Sequence, residues 1–252
     1  MTPDRFTVDA LVIREQQIGE SDRLVTLLSR HNGVIKAYAS GARSIKSKKG
    51  AATSLLAYSS VTLTRKGDTY RISEASPLEI FFKAGDDIEA LSLAQYFCEL
   101  CIHHAPNSEN CESVLRLSLN SLHFLSNRRM DIFLLKAVFE LRLMALTGYL
   151  PDLVACKNCA KFEDDIMYFD TNDGCLYCKK CHEYNSDCAV INSTLLMSLR
   201  HIIYSDLSKL FLFSIPDDAA KALSLITERY LLNKTEQKLK TLSFFNSLFK
   251  GM

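Results

Sequence analysis

Two pairs of cysteines in the second half of the chain have the spacing of a metal site. The first CxxC pair is Cys156 and Cys159. After eighteen residues, Cys178 and Cys181 form the second pair. Each CxxC turn can present two thiolates to one ion, and two such turns complete a tetrahedron of sulfur ligands. The pattern predicts a structural Zn²⁺ site, because four thiolates fill the coordination shell and leave no position for a reactive water.

A fifth cysteine leaves the choice of ligands open, because Cys175 and Cys178 also form a CxxC pair. We favour Cys178 and Cys181, which enclose a two-residue turn directly. Cys175 instead follows Gly174 in a predicted hairpin turn. A redox dithiol is the rival use of such thiols, but two CxxC pairs at this spacing favour a metal. The weaker substitutes as ligands are Cys188 and His182.

The remaining cysteines and the apolar runs indicate where the protein works. The chain has nine cysteines, and Asp4, Arg5 and Asp9 stand where a secretion signal would need an apolar run. Reduced or metal-bound thiols therefore fit better than disulfides. Apolar runs such as Leu210–Ile215 are shorter than the ~18 residues that indicate a membrane span. We expect a soluble, cytoplasmic protein that does not enter membranes.

A stretch without acidic residues in the first third of the chain predicts a nucleic-acid surface. Arg23–Lys66 covers 44 residues with nine Lys or Arg and no Asp or Glu, although the net charge of the whole chain is only +1. Such a positive field attracts polyanions or anionic membrane surfaces. Tyr38, Tyr58 and Tyr70 could offer faces on which bases stack. The alternative is a solvated loop surface that binds no ligand. The residues predicted to bind nucleic acid are Lys36, Arg43, Lys46, Lys48, Lys49, Arg65 and Lys66.

The elements that must position these basic residues are predicted to be β-strands. Residues 6–80 contain five short runs rich in β-branched and aliphatic side chains, separated by turn signals such as the one ending at Gly33. Five strands in so short a segment fit a small closed barrel, since closure hides the sheet edges. We predict an OB-fold in residues 1–80, with the basic loop Ala39–Ala52 after the third strand. The predicted strands are Phe6–Ile13, Arg23–Leu28, Val34–Tyr38, Val61–Thr64 and Thr69–Ser73.

From residue 86 the apolar spacing becomes helical, so residues 81–252 are predicted to form a helical bundle domain. Met130–Leu146 is apolar nearly all round, which predicts a central buried helix. The zinc ribbon would be an insertion at about residues 153–185, with a hairpin that turns at Asp173 and Gly174. The predicted fold class is therefore α+β with two domains. The other predicted helices are Asp86–Cys101, Asn107–Ser126, Ser193–Tyr204, Asp217–Leu232 and Glu236–Phe249.

Several of these motifs follow one another in an order that extends over nearly the whole chain. They are Gly19–Val25, Gly33, Ala39–Arg43, Ser47, Leu146–Pro151, both CxxC pairs and Lys238–Leu242. In this order the chain resembles the bacterial RecO family of recombination mediators. In the usual pattern of that family a second glycine stands where this chain has Cys175, which supports Cys178 and Cys181 as ligands.

The resemblance implies an OB-fold attached to a helical domain that carries a zinc ribbon. It implies binding of single- and double-stranded DNA, annealing of complementary strands, and work with RecR to load RecA onto strands coated by the single-strand-binding protein. It implies no nucleotide hydrolysis, in keeping with a sequence that has no GxxxxGK[ST] motif. We expect a binding protein that is not an enzyme. The acidic C-terminal tail of the single-strand-binding protein would need an apolar groove rimmed by cations. The candidate cations are Arg128, Arg129, Arg142, Arg229, Lys238 and Lys240.

Two other functions stay open at the level of sequence. An RNA-binding or transcription-associated zinc-ribbon protein would use the same basic barrel and the same ribbon, and a comparison of binding to single-stranded DNA and RNA separates it from a DNA-repair protein. A thiol-dependent enzyme would need a reactive cysteine beside a positioned base. The adjacent pair for that role is Cys181 and His182, and adjacency does not imply contact.

Overall fold

The computed structural model describes residues 5–44, 47–67, 69–82, 87–107, 110–183 and 188–249. Backbone packing divides the chain into two units. The first unit contains Met1–Ser126 and Leu239–Met252, and the second contains Asn127–Lys238. The predicted division into domains of residues 1–80 and 81–252 stays a prediction, and each unit is described by itself below.

Five strands of the first unit close into a barrel. They are β1 (Arg5–Ile18), β2 (Asp22–Ser29), β3 (Gly33–Ala39), β4 (Ala57–Lys66) and β5 (Thr69–Ile80). β1 pairs with both β2 and β4, β2 with β3, and β4 with β5, all antiparallel. A short parallel pairing of β3 with β5 completes the order β1-β2-β3-β5-β4. This is the Greek-key barrel of an OB-fold, so the predicted fold class is confirmed.

Alternation along the strands separates the barrel core from its outer face. In β3, Ile35, Ala37 and Ala39 are buried, whereas Lys36 and Tyr38 are exposed between them. Successive side chains of a strand point to opposite faces, so the buried set faces the barrel interior and the other set faces outward. The interior is completed by buried side chains from β2, β4 and β5, namely Val25, Leu27, Val61, Leu63 and Ile72.

All five strands of the barrel are longer than the sequence predicts, and β1, β4 and β5 are longer by six or more residues. β1 continues past Ile13, where the prediction ends, through four polar residues to Ile18, and this extension keeps its ladder with β2 as far as Asp22. Backbone hydrogen bonds hold this extension, although most of its side chains are exposed. A prediction based on apolar side chains ends too early where the ladder continues without them.

The chain forms six α-helices within the described residues. They are α1 (Ile88–His104), α2 (Glu112–Ser126), α3 (Ile132–Leu146), α4 (Ser193–Tyr204), α5 (Asp217–Thr235) and α6 (Lys240–Leu248). The predicted bounds of α4 are confirmed. The predicted last helix begins too early, because Glu236 takes a left-handed conformation with φ of 53° and ends α5 there. In the described residues, none of these helices combines the length and apolarity needed to cross a bilayer.

The first unit also contains the helices α1, α2 and α6. The carboxylate of Asp87 caps α1 by accepting the N–H of Glu89. Glu99, on α1, accepts the N–H of Thr241 at 3.0 Å and so caps the start of α6 from another helix. This contact explains how α6 starts without a capping side chain of its own.

The second unit is built around α3, which is buried on nearly every face, as its apolar sequence predicts. Two charged residues of α3, Lys136 and Glu140, are also buried and form an ion pair with 2.8 Å between Nζ and Oε1. Lys136 lies equally close to Glu228 on α5, and the Thr227 hydroxyl donates to the Glu140 carboxylate at 2.6 Å. The charges are therefore paired and hydrogen-bonded, as buried charges must be.

A small sheet in the second unit precedes α4. Its strands are β6 (Asp152–Cys156), β7 (Met167–Asp170), β8 (Cys175–Cys178) and β9 (Cys188–Ile191), in the order β6-β8-β7-β9. The predicted hairpin corresponds to β7 and β8, and Gly174 in its turn has φ of 75°. The outer strands β6 and β9 were not predicted, because strands of four or five residues are recognised only where a turn signal, such as the one at Asp173 and Gly174, joins them.

Candidate metal centre and nucleic-acid surface

Parallel pairing of β6 with β8 brings the two CxxC turns to one edge of the small sheet. Cys156, the last residue of β6, pairs with Leu176 of β8, and β8 itself ends at Cys178. Since parallel strands run in the same direction, the turns that follow them leave the sheet on the same side. The strand ladder thus aligns two segments that are distant in sequence.

Backbone hydrogen bonds hold each turn in shape. After β6, the N–H of Ala160 donates to the carbonyl oxygen of Cys156 at 2.9 Å, and Ala160 has φ of 58°. After β8, the N–H groups of Cys181 and His182 donate to the carbonyl oxygen of Cys178 at 3.0 and 2.9 Å. The two turns therefore curl their cysteines toward one point.

The sulfur atoms of Cys156, Cys159, Cys178 and Cys181 all lie within 4.8 Å of one another. The sulfur atoms of Cys159 and Cys178 are 3.6 Å apart. A tetrahedral zinc ion with Zn–S distances of about 2.3 Å would separate its ligands by roughly 3.8 Å. The cluster therefore fits a metal ion of this kind by both its donor atoms and its spacing.

The protein environment favours a thiolate within this cluster. Burial opposes ionisation of Cys156, but backbone N–H groups of Cys178, Cys159 and Asn158 donate to its sulfur and lower the pKa of the thiol to about 6. Hydrogen bonds with Cys159 and Cys178 raise the pKa of Cys181 to about 12. A cation placed among the sulfurs would favour the thiolate form of its four ligands.

The alternative ligands lie elsewhere on the sheet. Cys175 and Cys188 are both opposite Asp170, on the two strands that flank β7. Burial raises the pKa of the Cys175 thiol, which shares a hydrogen bond with Tyr177. His182 stacks on Tyr168 with 3.7 Å between ring centroids. The four-sulfur cluster includes none of Cys175, Cys188 and His182.

Arg200 of α4 contacts the chain on both sides of the first CxxC turn, a role that was not predicted from the sequence. Its guanidinium donates to the carbonyl oxygens of Leu153, Val154 and Phe162 at 2.8, 2.8 and 2.6 Å. It also donates to Glu163 at 3.2 Å and lies 3.9 Å from the centroid of the Phe162 ring. One side chain therefore joins β6 to the segment after the first CxxC turn. An arginine amid the apolar residues of α4 was the signal in the sequence.

The basic loop after β3 is tied to the barrel by side chains at several points. Arg43 donates to the carbonyl oxygens of Gly19 and Glu20 at 3.3 and 3.0 Å. Lys49 donates to the carbonyl oxygen of Ile72 at 3.4 Å. Two of the predicted DNA-binding cations therefore also anchor the loop.

Other predicted cations line a groove of about 480 Å³ on the barrel. Lys36, Arg65 and Tyr70 contribute to its walls, and the Arg65 guanidinium lies 5.9 Å from the Tyr70 ring centroid. Lys48 is exposed on the basic loop. Lys46 and the side chain of Lys66 lie outside the described residues.

One further cation on the outer face, Arg71, was missed by the sequence analysis. It is exposed on β5 and stands directly opposite Tyr38 of β3 in the parallel ladder. Parallel pairing between strands so far apart in the chain has no signal in a single sequence, which explains the omission.

Among the six cations considered for binding an acidic tail, Arg142 has a defined structural contact. Its guanidinium donates to the carbonyl oxygens of Ile202 and Ile203 at 3.1 and 2.5 Å, at the end of α4. Burial lowers the pKa of this side chain. Arg142 therefore stabilises carbonyl groups that the helix leaves unpaired at its C-terminus.

Comparison with known proteins gives consistent matches over nearly the whole chain. The family model "Recombination protein O N terminal" matches residues 1–81, and "Recombination protein O C terminal" matches residues 85–243. The "DNA repair protein RecO" of Acetivibrio thermocellus is 31% identical over 238 residues, which cover 94% of this chain and 95% of that protein. The protein of the same name from Dehalococcoides mccartyi strain CBDB1 is 29% identical, with 98% and 97% covered. That from Symbiobacterium thermophilum is 26% identical, with 96% and 97% covered.

Proposed function

The chain belongs to the RecO family of recombination proteins, and from this premise we propose that it serves DNA repair by binding DNA and annealing complementary strands. It acts on single- and double-stranded DNA in the cytoplasm and carries out no covalent chemistry. The observation that carries the proposal is the cationic outer face of the OB barrel, with Lys36, Arg65 and Arg71 exposed. Lys48 adds a fourth exposed charge on the loop.

The charge of this surface accounts for binding to any sequence. Lys and Arg that contact phosphates release condensed counterions, which makes the affinity depend on salt and not on base identity. The same positive charges would screen repulsion between two strands brought together on the surface. Base pairing between the strands then decides which of them anneal.

The four-cysteine cluster supports a structural role for Zn²⁺ in the second unit. Four sulfur ligands would fill the coordination shell of the ion, and bound Zn²⁺ would fix the two CxxC turns against each other. The residues that would hold it are Cys156, Cys159, Cys178 and Cys181. The reduced state that these ligands need is the state of thiols in the cytoplasm.

Family membership supports the partners that we propose next. The protein would act with RecR to load RecA onto single strands, and it would bind the acidic tail of the single-strand-binding protein. Apart from Arg142, which caps α4, the cations considered for that tail stay candidates. They are Arg128, Arg129, Arg229, Lys238 and Lys240.

An annealing assay tests the proposed function directly. Two complementary oligonucleotides, one carrying a fluorophore and the other a quencher, should anneal faster with the protein than without it. The acceleration should disappear at high salt, because phosphate contacts weaken as counterions compete. Equal binding to RNA of the same sequence, together with no effect on DNA annealing, would favour the RNA-binding alternative.

A further inference from the structure

The outer face of the barrel carries an exposed aromatic ring among its cations. We infer that Tyr38, with Arg71 beside it, is the platform on which an unpaired base stacks, and that this contact makes the surface prefer single strands to duplex DNA. The inference rests on the proposed DNA-binding function and adds the residue that sets the preference between the two forms of DNA.

Strand register places Tyr38 in a row that crosses three strands. In β2 its direct neighbour is Leu24, and in β5 it is Arg71. The buried residues Ala37 and Ile72, adjacent to Tyr38 and Arg71 in sequence, belong to the barrel core, so the row itself faces outward. The tyrosine ring therefore has an aliphatic neighbour on one side and a guanidinium on the other.

Three tyrosines of the barrel could stack on a base, and the ring of Tyr38 is the most accessible of them. Its side chain is 40% exposed. Tyr58 is half-buried, and burial raises its pKa. Tyr70 packs edge-on against Phe6 at 6.0 Å and against the barrel core. The rings of Tyr58 and Tyr70 are thus engaged by the protein itself.

Cations stand on two sides of the Tyr38 ring, where the phosphates of a bound strand would lie. Lys36 is two residues away on the same face of β3, a distance of about 7 Å. On the β5 side, hydrogen bonds from the N–H of Gly41 and the hydroxyl of Ser21 lower the pKa of the Asp22 carboxyl, and the nearby charges of Lys49 and Arg71 lower it further. Arg71 and Lys49 therefore lie near one carboxylate at the edge of the basic loop.

This arrangement suits a base that is free of its complement. Every base has a flat face that can stack on an aromatic ring, so such a contact is independent of sequence. In a duplex both faces of each base are covered by neighbouring pairs, and a protein reaches only base edges and phosphates. The ring would therefore add to single-strand affinity while the cations serve both forms of DNA.

The test uses Tyr38→Leu in the full chain, with one labelled sequence offered as a single strand and as a duplex at fixed salt. Loss of one stacked base should weaken single-strand binding by roughly 5- to 150-fold. Duplex affinity and both salt slopes should stay unchanged, because no charge is removed. Tyr38→Phe should retain single-strand binding, and Tyr204→Leu, which removes an exposed tyrosine from the other unit, should have no effect.

An oligonucleotide with abasic sites checks the contact from the DNA side. The unsubstituted protein should bind it more weakly than the normal strand, whereas Tyr38→Leu should bind the two about equally. Circular dichroism shows whether the variant folds, and Tyr38→Thr replaces it if the strand does not tolerate leucine.

The outcomes separate the inference from the function on which it rests. If the unsubstituted protein binds neither DNA form, the proposed function fails. If it binds both but does not distinguish the abasic strand, or if a folded variant loses single-strand and duplex affinity alike, the assignment of Tyr38 is overturned.

Discussion

The sulfur atoms of Cys159 and Cys178 lie 3.6 Å apart, although the two residues belong to different turns of the small sheet. Parallel pairing of β6 with β8 aligns those turns, and their sulfur atoms meet at about the spacing expected around one zinc ion. Two local sequence motifs thus become one candidate centre through a single strand pairing.

Zinc content is the first prediction. The purified protein should carry about one zinc per chain, and Cys181→Ser should remove most of it, since three thiolates bind the ion less tightly than four. Chelation of the metal should lower the melting temperature. Elemental analysis and thermal unfolding provide the measurements.

Cys175→Ser is the matched control for the metal site, because Cys175 lies on the same sheet but outside the cluster. It should keep full zinc content. Full zinc in Cys181→Ser together with loss in Cys175→Ser would show that the ligand set is wrong.

Arg200 should be a major source of stability in the second unit. Arg200→Met leaves the carbonyl oxygens of Leu153 and Phe162 without their charged donor. Because hydrogen bonds to charged groups are worth about 1.5–3 kcal/mol each, the free energy of unfolding should fall by about 3–5 kcal/mol. Lys161→Met removes a single ion pair whose lysine is half-exposed, so it should lower the urea midpoint much less than Arg200→Met does. Equal midpoints for the two variants would refute this role.

The buried pair on α3 predicts a pH-dependent effect of Lys136→Met. Burial raises the pKa of Glu140 above its usual 4.5, while Lys136 opposes that rise. Because the pKa of Glu140 is higher in the folded state than in the unfolded state, the protein loses stability as the pH rises toward the folded-state pKa. Without Lys136 the pKa should rise further, so the stability deficit should be larger near pH 8, about 3–5 kcal/mol, than near pH 5. Urea unfolding at both pH values measures it, and a deficit that does not grow with pH would contradict the prediction.

The metal cluster and the OB-fold were predictable because their signals are local. A CxxC turn needs only four consecutive residues, and alternation in β3 from Ile35 to Ala39 marks one buried and one exposed face. The central helix α3 was likewise evident from its apolar composition. Each of these patterns follows from side chains close together in the chain.

The contacts that position the candidate sites were not predictable, because they join residues that are distant in sequence. Arg200 donates to carbonyl groups about forty residues earlier in the chain, and Arg71 meets Tyr38 only through a parallel pairing. The anchoring role of Arg43 likewise depends on how the loop folds back to Gly19. A charged residue in the sequence indicates neither whether it faces solvent nor what it contacts.

The central claim is that the outer face of the barrel and its loop bind DNA through phosphate contacts. The variant that tests it changes Lys36, Lys48 and Arg71 to Gln together, since all three are exposed on this surface. Lys49 is kept because it also holds the loop to Ile72. The matched control makes the same change at Lys161, Lys209 and Lys221, which are exposed in the second unit.

The most direct measurement is titration of a labelled single strand at several salt concentrations, with circular dichroism to establish that both variants fold. Each lost phosphate contact on a single strand reduces the slope of log affinity against log salt by ~0.7, so the barrel variant should lose about 2 units of slope. It should bind all sequences more weakly, whereas the control should match the unsubstituted protein. An unchanged affinity and slope in the folded barrel variant would contradict the account and place the DNA-binding surface elsewhere.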